Sequence, residues 1–254
     1  HIMKNIIIIC FLLLNSWSYS QLNSEEMFAN GIKYYNEGEY QKAISSFTTI
    51  LENGQHSSSL YFNLGNSFYK INDVANSIFY FEKALQLSPN DKDIANNLSF
   101  SKNMLIDKIE ILPTNQIKQF LNYILGILDV NQWLYFGLII LYVSALFFLF
   151  YFFNSKTILK KNYFIASIVS LFFATGLISL GIAKNLNHKS NLYAIVFDQK
   201  IDFRTEPNDR SEVLFNLHEG TKVLIKEELN DWVFVEIQDG NKGWIETQSI
   251  KKID

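Results

Sequence analysis

Chemistry needs side chains that can attack, ligate or move protons, and in this 254-residue chain they are few and far apart. The one cysteine, Cys10, lies in an apolar run with no internal partner for a disulfide, and the four histidines, His1, His56, His188 and His218, show no ligand spacing. The chain has no Ser/His/Asp or Cys/His constellation, no HExxH, no phosphate-cradling glycine loop and no isolated pair of acids in an apolar setting. Glu37 and Glu39 read as a solvated helix–turn face. The sequence therefore predicts no catalytic centre, no metal and no cofactor, and turns attention to residues that bind by stacking and burial.

Charge divides the chain into three unlike parts. Residues 21–112 carry seven Lys/Arg against eleven Asp/Glu, and residues 190–254 carry eight against thirteen, whereas the segment between holds six lysines and a single acid, Asp129. Two acidic, water-facing modules thus flank a membrane-facing middle. Only two arginines occur, Arg204 and Arg210, and no basic cluster lies on a predicted helix or strand face, which argues against nucleic acid as a partner. At the start, Met3-Lys4, the apolar run Ile6 to Leu14 and then Ser18-Tyr19-Ser20-Gln21 predict a signal peptide over residues 3–20, too short in its apolar part to cross a bilayer as a stable helix. His1-Ile2 precede the start taken here.

Gly31 and Gly65 stand 34 residues apart and their surroundings align without a gap. The first copy carries Gly31, Tyr34, Gly38, Tyr40, Ala43 and Phe47; the second carries Leu64, Gly65, Phe68, Asp73, Ser77, Phe81, Ala84 and Pro89. A small residue at Gly65 lets one helix approach the next, Phe68, Ile78, Phe81 and Leu85 supply a shared core, and Pro89 ends the second helix. Both copies resemble the tetratricopeptide (TPR) repeat. The expectation is an all-α TPR superhelix over residues 24–104, with repeats at 24–57 and 58–91 and a capping half-repeat at 92–104. A stack this short needs support from the membrane, a partner or self-association. The TPR resemblance implies a concave groove, which maps onto Tyr35, Asn36, Phe62, Asn66, Tyr69, Lys70, Asn96 and Phe100. Asn66 and Asn97 match part of a clamp for C-terminal carboxylates, but Phe62 stands where that clamp needs a lysine, so a chaperone adaptor of that kind is disfavoured.

After Pro113, apolar residues at helical spacing predict an amphipathic helix over 116–129, lying on the membrane or packed against the repeats. Residues 133–153 and 163–183 are uncharged apolar runs, each long enough to span a bilayer as a helix, and they predict a two-helix transmembrane hairpin. The loop 154–162 between them carries Lys156, Lys160 and Lys161 and no acid, which assigns it to the cytoplasm and both termini to the other side, in agreement with export by a signal peptide. Ala166, Ser170 and Ala174 recur every fourth residue and make a candidate helix-packing face, for the hairpin itself or for a partner's helix. No charged residue in either span marks a transport path.

From residue 191 to 254 the period changes to two, with turns at Glu206-Pro207-Asn208-Asp209, Glu219-Gly220, Asn230-Asp231 and Asp239-Gly240-Asn241. In Trp232-Val233-Phe234-Val235-Glu236-Ile237 the valines and Ile237 face a core and Glu236 faces water. The ordered set Phe203-Arg204, Pro207, Leu214, Leu217, Gly220, Val223, Trp232, Val235, Gly243-Trp244-Ile245 and Ile250 resembles a bacterial SH3 domain, a small all-β barrel linked with peptide or cell-wall binding. Tyr193, Phe203, Trp232, Phe234 and Trp244 are candidates for a ligand-stacking surface.

The whole order of segments, and above all the junction Pro89-Asn90-Asp91-Lys92-Asp93-Ile94, Asn97-Leu98, Asp107-Lys108-Ile109-Glu110 and Leu112-Pro113, resembles the TPR/SH3 membrane proteins of the Bacteroides aerotolerance operon, the BatE-type family. That resemblance implies an assembly in the cytoplasmic (inner) membrane of Bacteroidota, connected with oxidative stress tolerance or envelope maintenance. It would contain von Willebrand A-domain proteins and, indirectly, a MoxR-type ATPase. Two functions compete: an interaction scaffold acting through the TPR groove and hairpin, and an envelope sensor binding peptide or peptidoglycan through the SH3 domain.

Overall fold

The computed structural model describes residues 24–109, 116–190 and 192–253; the expected signal peptide at 3–20 lies outside them. These residues form two compact units. One joins the helices that precede the apolar hairpin to the strands that follow it, and the other is the hairpin segment.

Among the described residues the first unit has five helices: α1 (24–36), α2 (Tyr40–Glu52), α3 (Ser58–Lys70), α4 (Val74–Leu87) and α5 (Lys92–Lys102). Side chains start three of them. The Ser57 hydroxyl accepts from the Leu60 N–H at 3.1 Å, the Asp73 carboxylate from the Asn76 N–H at 3.0 Å, and the Asp91 carboxylate from the Asp93 and Ile94 N–H groups. Each supplies an acceptor to an N–H that a helix start leaves without one.

The 34-residue period has a direct steric cause. A Cβ placed on Gly65 would lie 2.7 Å from the Phe81 ring, and one on Gly31 would lie still closer to the Phe47 ring. In each repeat the B-helix phenylalanine packs against the bare backbone of helix A, and both phenylalanines are fully buried. Around them lie two apolar clusters. Ala43, Phe47, Ile50, Leu60 and Leu64 form one; Tyr61, Ala75, Ile78, Phe81, Ala84, Ile94 and Leu98 belong to the other. Between the helices, the Ser77 hydroxyl lies 3.0 Å from the Gly65 carbonyl oxygen and 2.8 Å from the Ser101 hydroxyl, so these buried polar groups are satisfied.

The same unit ends in seven strands, β1 (Leu192–Val196), β2 (Lys200–Arg204), β3 (Val213–His218), β4 (Lys222–Leu229), β5 (Trp232–Glu236), β6 (Lys242–Glu246) and β7 (Ile250–Ile253), ordered β3-β2-β6-β5-β4-β1-β7. The register pairs are antiparallel. Alternation sorts the faces: Val233, Val235 and Ile237 are buried, while Trp232, Phe234 and Glu236 lie on the other side. Gly243 is bare because a Cβ there would lie 2.6 Å from the Phe203 ring and 2.9 Å from the Arg204 carbonyl oxygen. The sheet and the helices share one core, for Ile195 and Ile253 belong to the cluster that holds Tyr61, Ile78 and Phe81. A support for the short helical stack that the sequence sought in the membrane, a partner or self-association is therefore supplied by the chain's own barrel.

The second unit contains α6 (Gln116–Gly126), α7 (Val130–Phe153) and α8 (Thr157–Ser190). Helix α6 stops three residues short of the expected 129, because Ile127 turns back on Ile124 and Asp129 opens α7, where its N–H donates to the Gln132 side chain. Apolar residues of α6 such as Ile117, Phe120 and Leu121 are exposed. Helices α7 and α8 are long and apolar enough to cross a membrane. With 24 residues α7 runs about 36 Å, against about 30 Å of hydrocarbon. The connection between them is shorter than the expected loop 154–162: α8 starts at Thr157, so Lys160 and Lys161 extend a helix outward and only residues 154–156 turn.

Replacing Gly65 by Val is expected to cost about 1–3 kcal/mol by overpacking against Phe81. In a urea titration of the purified chain followed by circular dichroism, part of that loss should return in the Gly65→Val/Phe81→Ala double variant, and simple additivity of the two changes would contradict the contact.

Candidate functional site

The mouth of the helical stack holds a cavity of about 460 Å3. Ser24, Glu25, Phe28, Ala29 and Ile32 line it from α1, Ile50 from α2, and Gln55, His56, Ser57, Ser59 and Leu60 from the turn into α3 and its first residues. Its lining mixes the apolar Phe28, Ala29, Ile32, Ile50 and Leu60 with polar side chains, a form that accepts an apolar side chain while offering hydrogen bonds to the backbone that carries it. The His56 ring is fixed by a 2.8 Å hydrogen bond with the Tyr61 hydroxyl.

None of the eight residues expected in the groove lines this cavity. Tyr35 packs edge-on to Tyr40 at 5.4 Å, and Phe62 is half-buried beside Phe81 at 5.9 Å. Asn66 accepts from the Asn97 amide at 2.7 Å, so this pair is occupied within the fold. Tyr69 is half-buried, whereas Asn36, Lys70, Asn96 and Phe100 are exposed. The missed residues carried a signal. Stepping back 34 residues from Phe62 and Asn66 reaches Phe28 and Ile32, the two largest apolar residues that α1 gives to the cavity.

On the barrel, three of the five expected aromatics share one face. Phe234 pairs with Trp244 across β5 and β6, their ring centroids 5.1 Å apart, and Trp232 stands two residues before Phe234; all three are half-exposed. Arg204 pairs with Trp244 on the same face, its guanidinium donating to the carbonyls of Asp209 and Ser211 and to the Asp202 carboxylate. Phe203 is a correction: expected at the surface, it is 0 % exposed and stacks on Phe215 at 4.7 Å. Residues alternate along β2, and Ile201 and Phe203 take the inward positions. Tyr193 is half-buried, with the Lys222 ammonium 4.3 Å from its ring centroid. It lines the seam between helices and barrel and does not join the other three.

That seam is held by two charged clusters. The Glu82 carboxylate of α4 meets Lys222 of β4 at 2.7 Å and Lys102 of α5 at 3.0 Å. Asp107, just past α5, accepts from the His218 N–H at 2.7 Å, the His218 Nδ1 at 2.6 Å and the Thr221 hydroxyl at 2.7 Å. An ionised carboxylate only accepts, so Nδ1 of His218 carries the proton. Burial by itself raises the pKa of each acid. The two lysines outweigh it at Glu82, and the hydrogen bonds from His218 and Thr221 outweigh it at Asp107, so both carboxyls are held below their ordinary values. Gln86 donates to the Ile253 carbonyl at 3.1 Å, and Phe79 meets Phe197 edge-on at 5.8 Å.

In the hairpin unit, Ala174 is fully buried, and a Cβ on Gly137 of α7 would lie 2.6 Å from Ile178 and 3.4 Å from the Ala174 carbonyl oxygen. Ser170 and Ala166 are half-buried, and the Ser170 hydroxyl donates to the Ala166 carbonyl. Beside them the Ser144 hydroxyl donates to the Ser167 carbonyl across the two helices at 2.9 Å. Ala174 thus packs inside the hairpin. Among the described residues no group of three or more His, Cys, Asp or Glu could hold a metal ion.

Residues 58–91 match the tetratricopeptide repeat, and residues 200–252 match the bacterial SH3 domain. No curated protein matches the chain. Both matched modules are non-catalytic interaction modules, so the chain carries a TPR and a bacterial SH3 module, and a protein-binding or cell-wall-binding role follows from them.

Replacing Asp107 by Ala leaves the His218 N–H and the Thr221 hydroxyl without their acceptor, and is expected to cost about 1–3 kcal/mol. Because the folded-state values of Glu82 and Asp107 are depressed, their stabilisation is complete above the unfolded carboxylate range and disappears as pH falls through the folded values. Hydrogen exchange of β4 and α4 amides should accelerate on acidification from neutral pH beyond the intrinsic change; unaltered protection in strong acid would contradict the assignment.

Proposed function

We propose that this chain is a membrane-anchored protein–protein interaction scaffold. The apolar hairpin is held in the cytoplasmic (inner) membrane, the TPR and SH3 modules lie in the periplasm, and the lysine-bearing turn between the helices faces the cytoplasm. The finer reading, drawn from the family resemblance, is a subunit of an aerotolerance or envelope-stress complex that binds von Willebrand A-domain membrane proteins and is linked through them to a MoxR-type ATPase.

One observation carries the scaffold reading. The barrel packs on α4, a B helix, and the cavity at Phe28, Ile32 and Ser59 lies at the A helices α1 and α3, among the described residues. A partner's apolar side chain fits there. Because the helical and barrel segments share one core, the two ends of the hairpin leave on the same side of any bilayer it crosses, which supports a common compartment for both modules. The excess of lysine in the turn supports the periplasm as that compartment.

A second reading is favoured by the half-exposed face of Trp232, Phe234 and Trp244, which suits stacking on a sugar or an extended peptide. In it the chain is an envelope sensor that binds the cell wall through the barrel.

Crosslinking of the intact chain in native membranes, followed by mass spectrometry, separates the two. The scaffold reading expects von Willebrand A-domain proteins, with recovery reduced roughly tenfold or more by Ile32→Glu, which places a charge in the apolar cavity. Recovery that ignores this change would remove the cavity from the interface. The wall-binding reading expects the detergent-solubilised chain to sediment with purified peptidoglycan and Trp244→Ala to weaken this several-fold. Absence of sedimentation in the unaltered chain would sink it.

A further inference from the structure

Six lysines of the helix–barrel unit, Lys42, Lys102, Lys222, Lys226, Lys242 and Lys252, each meet a carboxylate, and thirteen acids lie within residues 190–254 alone. The turn of the hairpin is different. Lys156, Lys160 and Lys161 cluster where α7 ends and α8 begins, and the segment from 111 to 192 contains one acid, Asp129, at the far end of α7, about 36 Å of helix away. No carboxylate of the hairpin can approach them.

The cluster stands on an apolar and aromatic base. Phe152, Phe153 and Ile158 are among the most exposed apolar residues of the described chain, at 69, 76 and 77 %. The Lys160 ammonium sits 5.1 Å from the centroid of the Tyr151 ring, which packs on Phe164 at 5.2 Å. Long cationic side chains above exposed rings match the boundary between acyl chains and headgroups, where apolar stems stay in hydrocarbon and ammonium groups reach phosphate.

We propose that the hairpin turn is a binding surface for anionic phospholipid headgroups, with Lys156, Lys160 and Lys161 supplying the positive charge that the hairpin does not itself neutralise. The inference rests on the reading of α7 and α8 as membrane spans. A lysine near an anionic surface gains about 1 kcal/mol, roughly fivefold in association, so the three together select strongly for anionic over zwitterionic lipid.

The test places the full chain in bilayers of phosphatidylcholine containing spin-labelled phosphatidylglycerol or spin-labelled phosphatidylcholine. The motionally restricted fraction of each lipid is then read by electron paramagnetic resonance. The expected result is a several-fold preference for phosphatidylglycerol that shrinks as salt is raised and vanishes in Lys156→Gln/Lys160→Gln/Lys161→Gln but persists in Lys242→Gln. Inserted protein with equal association of both lipids overturns the proposal and leaves the membrane reading standing; failure to insert overturns the membrane reading itself. A preference that survives in the triple variant overturns the assignment to these lysines, and one abolished by millimolar inorganic phosphate overturns the lipid as the source of the anion.

Discussion

The architecture depends on covering helix α4. As the B helix of the complete repeat it buries Phe81 against the bare backbone at Gly65, and Ile78 lies in the same cluster. That cluster is completed from the barrel by Ile195 and Ile253, and full burial of an isoleucine contributes about 1.5–3 kcal/mol. Five helices built on little more than two repeats have few internal layers, and a terminal repeat left open to water would lose much of this burial. Packing the barrel on α4 removes that deficit, and makes two modules of different ancestry in sequence pattern into one unit.

Polar groups at the seam set how the two surfaces meet. Glu82 draws together lysines from α5 and β4, and Asp107 gathers a backbone N–H and an imidazole from the end of β3 and a hydroxyl from the turn before β4. Buried charge is costly to desolvate, so such clusters add less net stability than their short distances imply. Their value is directional, because a small rotation of the barrel would strand a carboxylate among apolar neighbours. The apolar contact brings the modules together and the carboxylates select one register.

This packing also limits what each part can do by itself. A barrel that shares a core with the helices is not a freely tethered sensor, so a ligand on its Trp232, Phe234 and Trp244 face acts on the same body that carries the cavity at Phe28 and Ile32. The hairpin is an insertion in that body, entered after Glu110 and left before Tyr193. Its small residues are spent on internal packing at Gly137 and Ala174, while most of its apolar surface remains uncovered.

Local pattern determined a great deal by itself. The 34-residue step, the period-two alternation around Val233 and Val235, and the two uncharged runs each depend on residues close in sequence, and the elements follow from them. Even the cavity residues Phe28 and Ile32 were within reach of the repeat arithmetic. What only the tertiary structure decided involves partners more than a hundred residues apart: the pairing of Asp107 with His218, of Glu82 with Lys222, and the burial of Ile253 beside Ile78. Phe203 shows the limit on a small scale, since an aromatic residue on a barrel strand suits a ligand face or a core equally well, and only the inward turn of β2 over Gly243 makes it core. Periodicity reports which residues of an element face the same way; which other element they face is set by how the whole chain closes, and no local pattern encodes it.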